Sequence, residues 1–245
     1  MKTTTFPDAG TELGSIETEW ALVFDPVHFV NRYEKAIQKY LRAVLKNPDD
    51  AEEVAQNFFL RVTENGFPRV QRERGRFRDY LKVAVKNWAL NFLRRKRSEL
   101  NHESLFIIPA PEESLQDQQW LREWRRCLLK RAWRNLEKHQ NRSADDIYYT
   151  ALRLAVFHPA DDSVTLAALA GNILGRTIRP DTFRKQLSRA RRLFAELLVK
   201  EIAQTLDYPV PALVEEELVD LGLMSYVSHF LPADWRTHLK MIKEK

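Results

Sequence analysis

Two stretches of the chain concentrate positive charge beside aromatic, amide or hydroxyl side chains. Residues 69–97 carry eleven Lys and Arg against two acids, Glu73 and Asp79. Residues 176–200 carry eight against Asp181 and Glu196. Spaced cations neutralise phosphates. Aromatic faces stack on unpaired bases, at roughly 1–3 kcal/mol per base, and an amide can pair with a base edge. The first block offers all three: Phe77, Tyr80 and Trp88 stand with Arg76, Arg78, Lys82, Lys86 and the run Arg94, Arg95, Lys96, Arg97, and Asn87 supplies the amide. In the second block Thr182, Arg184, Lys185, Ser188, Arg189 and Arg192 are the polar candidates. Acidic stretches alternate with these. Residues 48–59 hold Asp49, Asp50, Glu52 and Glu53 with no base, and residues 201–222 hold six acids with no base. The alternation points to two polyanion-binding surfaces and to acidic faces for other partners.

Other chemistries find no support in the residues. No nucleophilic triad, Gly-rich phosphate loop or metal-ligand spacing is present; Gly75 and Gly175 stand alone and the six His are scattered. The expectation is a protein that is not an enzyme, with no cofactor and no metal. A lone Cys127 allows no internal disulfide and suits a reducing, cytoplasmic setting. No apolar run reaches membrane-spanning length, and Met1 to Glu19 has no signal-peptide pattern.

The elements that position these residues read as helices throughout. Gly is scarce, at 7 of 245 residues, and strict apolar alternation is hard to find. The expected fold is all-α: two helical domains joined by a linker, the second containing a helix-turn-helix. A flexible N-terminus covers 1–24 and the first domain 25–97. Its first helix places Val30, Tyr33, Ile37, Leu41 and Val44 on one face. The second starts at Asp50 with a capping-box-like pattern and turns Ala55, Phe58, Phe59 and Val62 inward. The third, about 77–97, carries Leu81, Ala84, Val85, Trp88 and Phe92 on one face, which places Trp88 in the core and leaves Tyr80 off the stripe as the better stacking candidate. Asn87 is either a base-reading amide or an ordinary exposed one.

Pro109 and Pro111 mark residues 98–114 as the linker. A second domain spans 115–205. Its first helix places Trp120, Trp124, Leu128, Ala132 and Leu136 on one face, and Ser143 to Asp146 caps the next. A short helix from Asp162–Ser163, a turn around Gly175 and a longer helix opened by Pro180-Asp181 follow, in helix-turn-helix order. Early residues of such a second helix (Arg184, Lys185, Ser188) face base edges, and Arg189, Arg191 and Arg192 hold phosphates. Residues 206–245 form a C-terminal helical tail whose acids cover a basic face, bind a partner, or are simply solvated.

Taken in order, these motifs resemble the extracytoplasmic-function branch of the sigma-70 family. The stretch Asp49-Asp50-Ala51-Glu52-Glu53-Val54-Ala55-Gln56 is similar to the part of region 2 that docks on core RNA polymerase. The resemblance implies that role for Asp49, Asp50, Glu52, Glu53 and Gln56. The stretch from Phe77 to Arg97 is similar to the part that melts and reads the −10 element, which implies DNA contacts by Arg76, Arg78, Tyr80, Lys86, Asn87, Arg94, Arg95 and Arg97. Residues 182–192 resemble the region 4 recognition helix, which implies −35 contacts by Thr182, Arg184, Lys185, Ser188, Arg189 and Arg192. Three departures stand out. Tyr80 occupies the family's usual Trp position, Asn57 stands where an acid is frequent, and the turn over Asn172–Asp181 looks about three residues longer than usual. The implied partners are core RNA polymerase and promoter DNA, with an anti-sigma factor as a further partner the resemblance admits and no membrane. The implied function is transcription initiation; the alternative is a stand-alone helix-turn-helix regulator that binds duplex DNA without the polymerase.

Overall fold

A computed structural model describes residues 26–66, 76–99, 113–206 and 209–240. Among them are ten helices and no strand. The basic loop 69–75 and nearly all of the 98–114 linker lie outside the described residues. The described residues divide into two compact units: those up to 128 with 204–206, and 129–203 with 209–240.

The first unit contains α1 (Pro26–Leu45), α2 (Pro48–Asn65), α3 (Phe77–Glu99) and the first half of α4 (Glu113–Gln140). In α1, Phe29, Tyr33, Ala36, Ile37, Tyr40, Leu41 and Leu45 are buried, so steps of three and four make the inward face. The helix ends at Lys46, whose φ of 58° breaks the repeat. Asn47 then caps α2, its side chain accepting from the backbone N–H of Asp49 at 2.9 Å and of Asp50 at 3.3 Å. The cap is therefore Asn47 rather than Asp50. Pro48 takes the first helical position, where its missing N–H costs nothing, and Asp49 and Asp50 sit in the first turn against the positive end of the helix dipole.

Aromatic rings dominate this core. Phe29 meets Phe77 edge-on at 6.3 Å. Tyr33 stacks on Trp124 at 4.9 Å with the planes 7° apart, and Tyr40 meets Trp120 at 5.2 Å. Each such ring, fully buried, contributes roughly 1.5–3 kcal/mol. Residues 115–128 of α4, expected to open the second domain, fall in the first unit, with Trp120, Trp124 and Leu128 in its core. The division falls within a continuous helix. Lys82–Asp117 at 2.9 Å and Lys39–Glu123 at 3.1 Å add ion pairs from α3 and α1 to the same half of α4.

The second unit contains the rest of α4, then α5 (Tyr148–Phe157), α6 (Ser163–Leu174), α7 (Pro180–Ala203), α8 (Pro211–Asp220), α9 (Met224–Val227) and α10 (Trp235–Lys240). Ile147, Ala151, Leu154, Leu166, Ala167, Ala170 and Phe183 form one buried cluster that joins α5, α6 and α7. Asp162 caps α6 by accepting from Thr165 N–H at 2.8 Å. By contrast α5 has Ile147 at its cap position and no side-chain cap, so the expected role of Ser143–Asp146 is not realised. Along α4, Arg131 and Asn135 donate to Glu201 at 2.6 and 2.8 Å, and Trp133 meets Phe194 at 5.0 Å.

In α7, residues 195–199 and 201–203 are all buried. A helix buried on every side must be wrapped by several elements, and α8 packs against α7 while α9 and α10 pack against α8. The tail after 206 is part of this unit. Glu201 and Glu217 are 2% and 1% exposed, so the run of acids over 201–222 is not one solvated acidic face.

Candidate nucleic-acid interface

In the first unit the polar candidates lie on α2 and α3. Asp49, Glu52, Glu53 and Gln56 are exposed at the start of α2, with Gln56 donating to Glu52 at 3.3 Å. Asp50 is not available in the same way. Its carboxylate accepts from Lys96 Nζ on α3 at 2.6 and 2.8 Å, and its side chain is only 14% exposed. The pair also takes Lys96 from the basic run at the end of α3, where Arg94, Arg95 and Arg97 are exposed.

The face of α3 that turns inward is Phe77, Leu81, Val85 and Ala89, with Trp88 and Phe92 half-buried beside them. Trp88 meets Phe58 at 6.0 Å but stays half-buried, short of the core position expected for it. Arg78 is one turn from Leu81 on this same side and is 4% exposed, its Nε donating to Asp79 at 3.3 Å. Arg78, expected to face DNA, is instead buried together with its guanidinium and paired with Asp79.

Tyr80 is half-buried, with its ring 6.3 Å from Phe77, and burial raises its phenol above the ordinary value. Arg76 and Lys86 are half-buried and Asn87 is exposed. Seven residues make two helical turns, so Tyr80, Asn87 and Arg94 line one outward row, and Val83, Leu90 and Arg97 the next. Val83 and Leu90 are 53% and 37% exposed. Sequence reasoning passed over both as ordinary apolar residues; their signal was that they fall off the inward stripe.

In the second unit, Phe183 and Ala190 anchor α7, while Thr182, Arg184, Lys185, Ser188, Arg189 and Arg192 are all exposed. The connection before α7 is shorter than the sequence suggested, because α6 continues to Leu174 and only residues 175–179 link the helices. Gly175 closes α6 in the left-handed conformation, with φ 65°, and Arg176 N–H donates back to Gly171 carbonyl oxygen at 3.1 Å. This is the Schellman arrangement, which glycine permits without strain.

Two residues that sequence reasoning missed stand beside the arginines of α7. Ser163 Oγ accepts from Arg184 at 2.9 Å. Tyr148 lies near Arg189 and Asp146: burial and then Asp146 raise its phenol above the ordinary value, while Arg189 pulls it down. Arg192 donates to Glu196 at 3.0 Å. Ser163 and Tyr148 lie on other helices, beyond any local pattern, whereas Glu196 stands one turn along α7 from Arg192.

Among the described residues no group of three or more His, Cys, Asp or Glu is arranged to hold a metal ion, and no helix is long and apolar enough to cross a membrane. Residues 29–99, covering α1 to α3, match the family model for sigma-70 region 2. The match spans 71 of the 245 residues and supports a sigma factor of the sigma-70 family with a role in transcription initiation. Region 2 implies binding to core RNA polymerase and promoter DNA. Comparison with curated proteins and with solved structures finds no match.

Proposed function

We propose that this protein is a sigma factor of the extracytoplasmic-function type, with core docking and −10 recognition in its first unit and −35 recognition in its second. The observation that carries the reading is the coincidence of the sigma-70 region 2 match over 29–99 with an α3 whose outward rows are Tyr80, Asn87, Arg94 and Val83, Leu90, Arg97. Cations would hold the strand backbone. Tyr80, Val83 and Leu90 would offer surfaces to unstacked bases, and the Asn87 amide a hydrogen-bonding edge. Arg94, Arg95 and Arg97 would hold phosphates, Arg76 and Lys86 would flank them, and Arg78 would act through packing.

In the second unit α6, the 175–179 connection and α7 serve as a helix-turn-helix. Thr182, Arg184, Lys185 and Ser188 face base edges of the −35 duplex, and Arg189 and Arg192 its backbone. Polymerase docking falls to Asp49, Glu52, Glu53 and Gln56, with Asp50 fixing the α2–α3 angle. The protein works in the cytoplasm, without cofactor or catalytic chemistry of its own, and an anti-sigma factor is a candidate regulator.

The test is co-purification with core RNA polymerase, comparing the wild type with Asp49→Arg/Glu53→Arg. Binding that disappears in the charge-reversed form supports the reading. A wild type that binds duplex DNA but never the polymerase overturns it in favour of a stand-alone regulator.

A further inference from the structure

We infer that the outward side of the second half of α4 is a binding surface for the DNA backbone, additional to the basic faces of α3 and α7; this rests on the sigma-factor reading above. Lys130, Arg134 and Lys138 recur at every fourth residue, and Arg142 follows in the next turn. All four are exposed. None of their side-chain cations has a partner among the described residues. The one acid between 129 and 142, Glu137, pairs with none of them.

The buried side of the same stretch, Leu128, Ala132 and Leu136, advances by the same four residues. Two stripes with one step wind around a helix together and stay opposite each other. The flanks are also used, since Arg131 and Asn135 turn to Glu201 and Trp133 turns to Phe194 and Tyr149. The basic row is what remains uncovered.

The chemistry of this row selects a phosphate backbone over a protein. No large apolar side chain between 129 and 142 is exposed, so the face lacks the buried anchors on which protein interfaces depend. Phosphate binding needs only spaced cations and carries no sequence information. Four helical residues rise about 6 Å, and each strand of a duplex presents one phosphate per about 3.4 Å of axis, so the row meets a phosphate at each of its steps. The surface therefore strengthens binding to duplex of any sequence and adds nothing to promoter choice.

The test measures binding of the full chain to a random-sequence duplex across a salt series, by fluorescence anisotropy, for wild type and for Lys130→Gln/Arg134→Gln/Lys138→Gln. The expected slope of log affinity against log salt falls by about 0.9 for each phosphate that the variant no longer neutralises, and low-salt affinity drops on the order of tenfold. The charge-preserving form Lys130→Arg/Arg134→Lys/Lys138→Arg keeps the wild-type slope, which separates an effect of charge from a failure to fold. Polymerase co-purification on the same preparations decides the sigma reading independently. Intact polymerase binding with an unchanged slope in the Gln form overturns this surface alone. Loss of polymerase binding in the Gln form at an unchanged slope also overturns it and assigns the row to an acidic protein surface.

Discussion

Lys96, near the end of α3, donates to both carboxylate oxygens of Asp50, in the first turn of α2, at 2.6 and 2.8 Å. One residue belongs to the acidic stretch read as a docking surface, and the other to the basic run read as a DNA-binding one. Their pairing ties the two helices together and takes one charge from each surface.

Breaking this pair has a modest structural cost, because Lys96 is 42% exposed and solvent screens it. A double-mutant cycle of Asp50→Asn and Lys96→Met, followed by urea unfolding, should return a coupling of about 0.5–1 kcal/mol. A coupling of zero would remove the pair from any account of how α2 and α3 are held. Asp50→Asn alone should leave polymerase co-purification largely intact, unlike the reversal of exposed Asp49 and Glu53.

Gly171 sits inside α6, where helix propensity by itself favours Ala by about 1 kcal/mol. A Cβ at this position would meet the backbone carbonyl oxygen of Arg176 at 2.8 Å. That atom belongs to the connection leading into α7 and has no flexible end to move aside. Overpacking costs about 1–3 kcal/mol and outweighs the propensity gain. Gly171→Ala should lower the melting temperature and weaken binding to a −35 duplex; a raised melting temperature would show that the connection yields.

Asp162 accepts the Thr165 backbone N–H, and this bond holds its carboxyl below the usual carboxylate value. A depressed pKa in the folded state adds stability above the ordinary carboxylate pKa, and that stability is lost as pH falls through the folded value. Thermal melts of wild type should therefore lose more stability on acidification from about pH 5 to about pH 3 than melts of Asp162→Ala. Parallel curves for the two proteins would exclude a role for this cap in acid sensitivity.

What the sequence determined by itself was local and periodic. Steps of three and four marked the inward faces of α1, α2, α4 and α7, because a helix puts such residues on one side whatever covers them. Asp162 and Pro180-Asp181 marked helix starts, and the stretches Asp49–Gln56 and Phe77–Arg97 carried the resemblance to the family whose region 2 model matches residues 29–99. The tertiary structure decided which charges are free. Arg78 turns in and Arg94 turns out on one helix, since the angle of each follows from where α1, α2 and α4 press on α3. Asp50 meets a base 46 positions away, and Glu201 meets Arg131 across 70. Trp120 and Trp124 joined the first unit because Tyr33 and Tyr40 offered them rings. Helical period tells which residues share a face, but the partner that buries or neutralises them comes from distant parts of the chain, where no local pattern reaches.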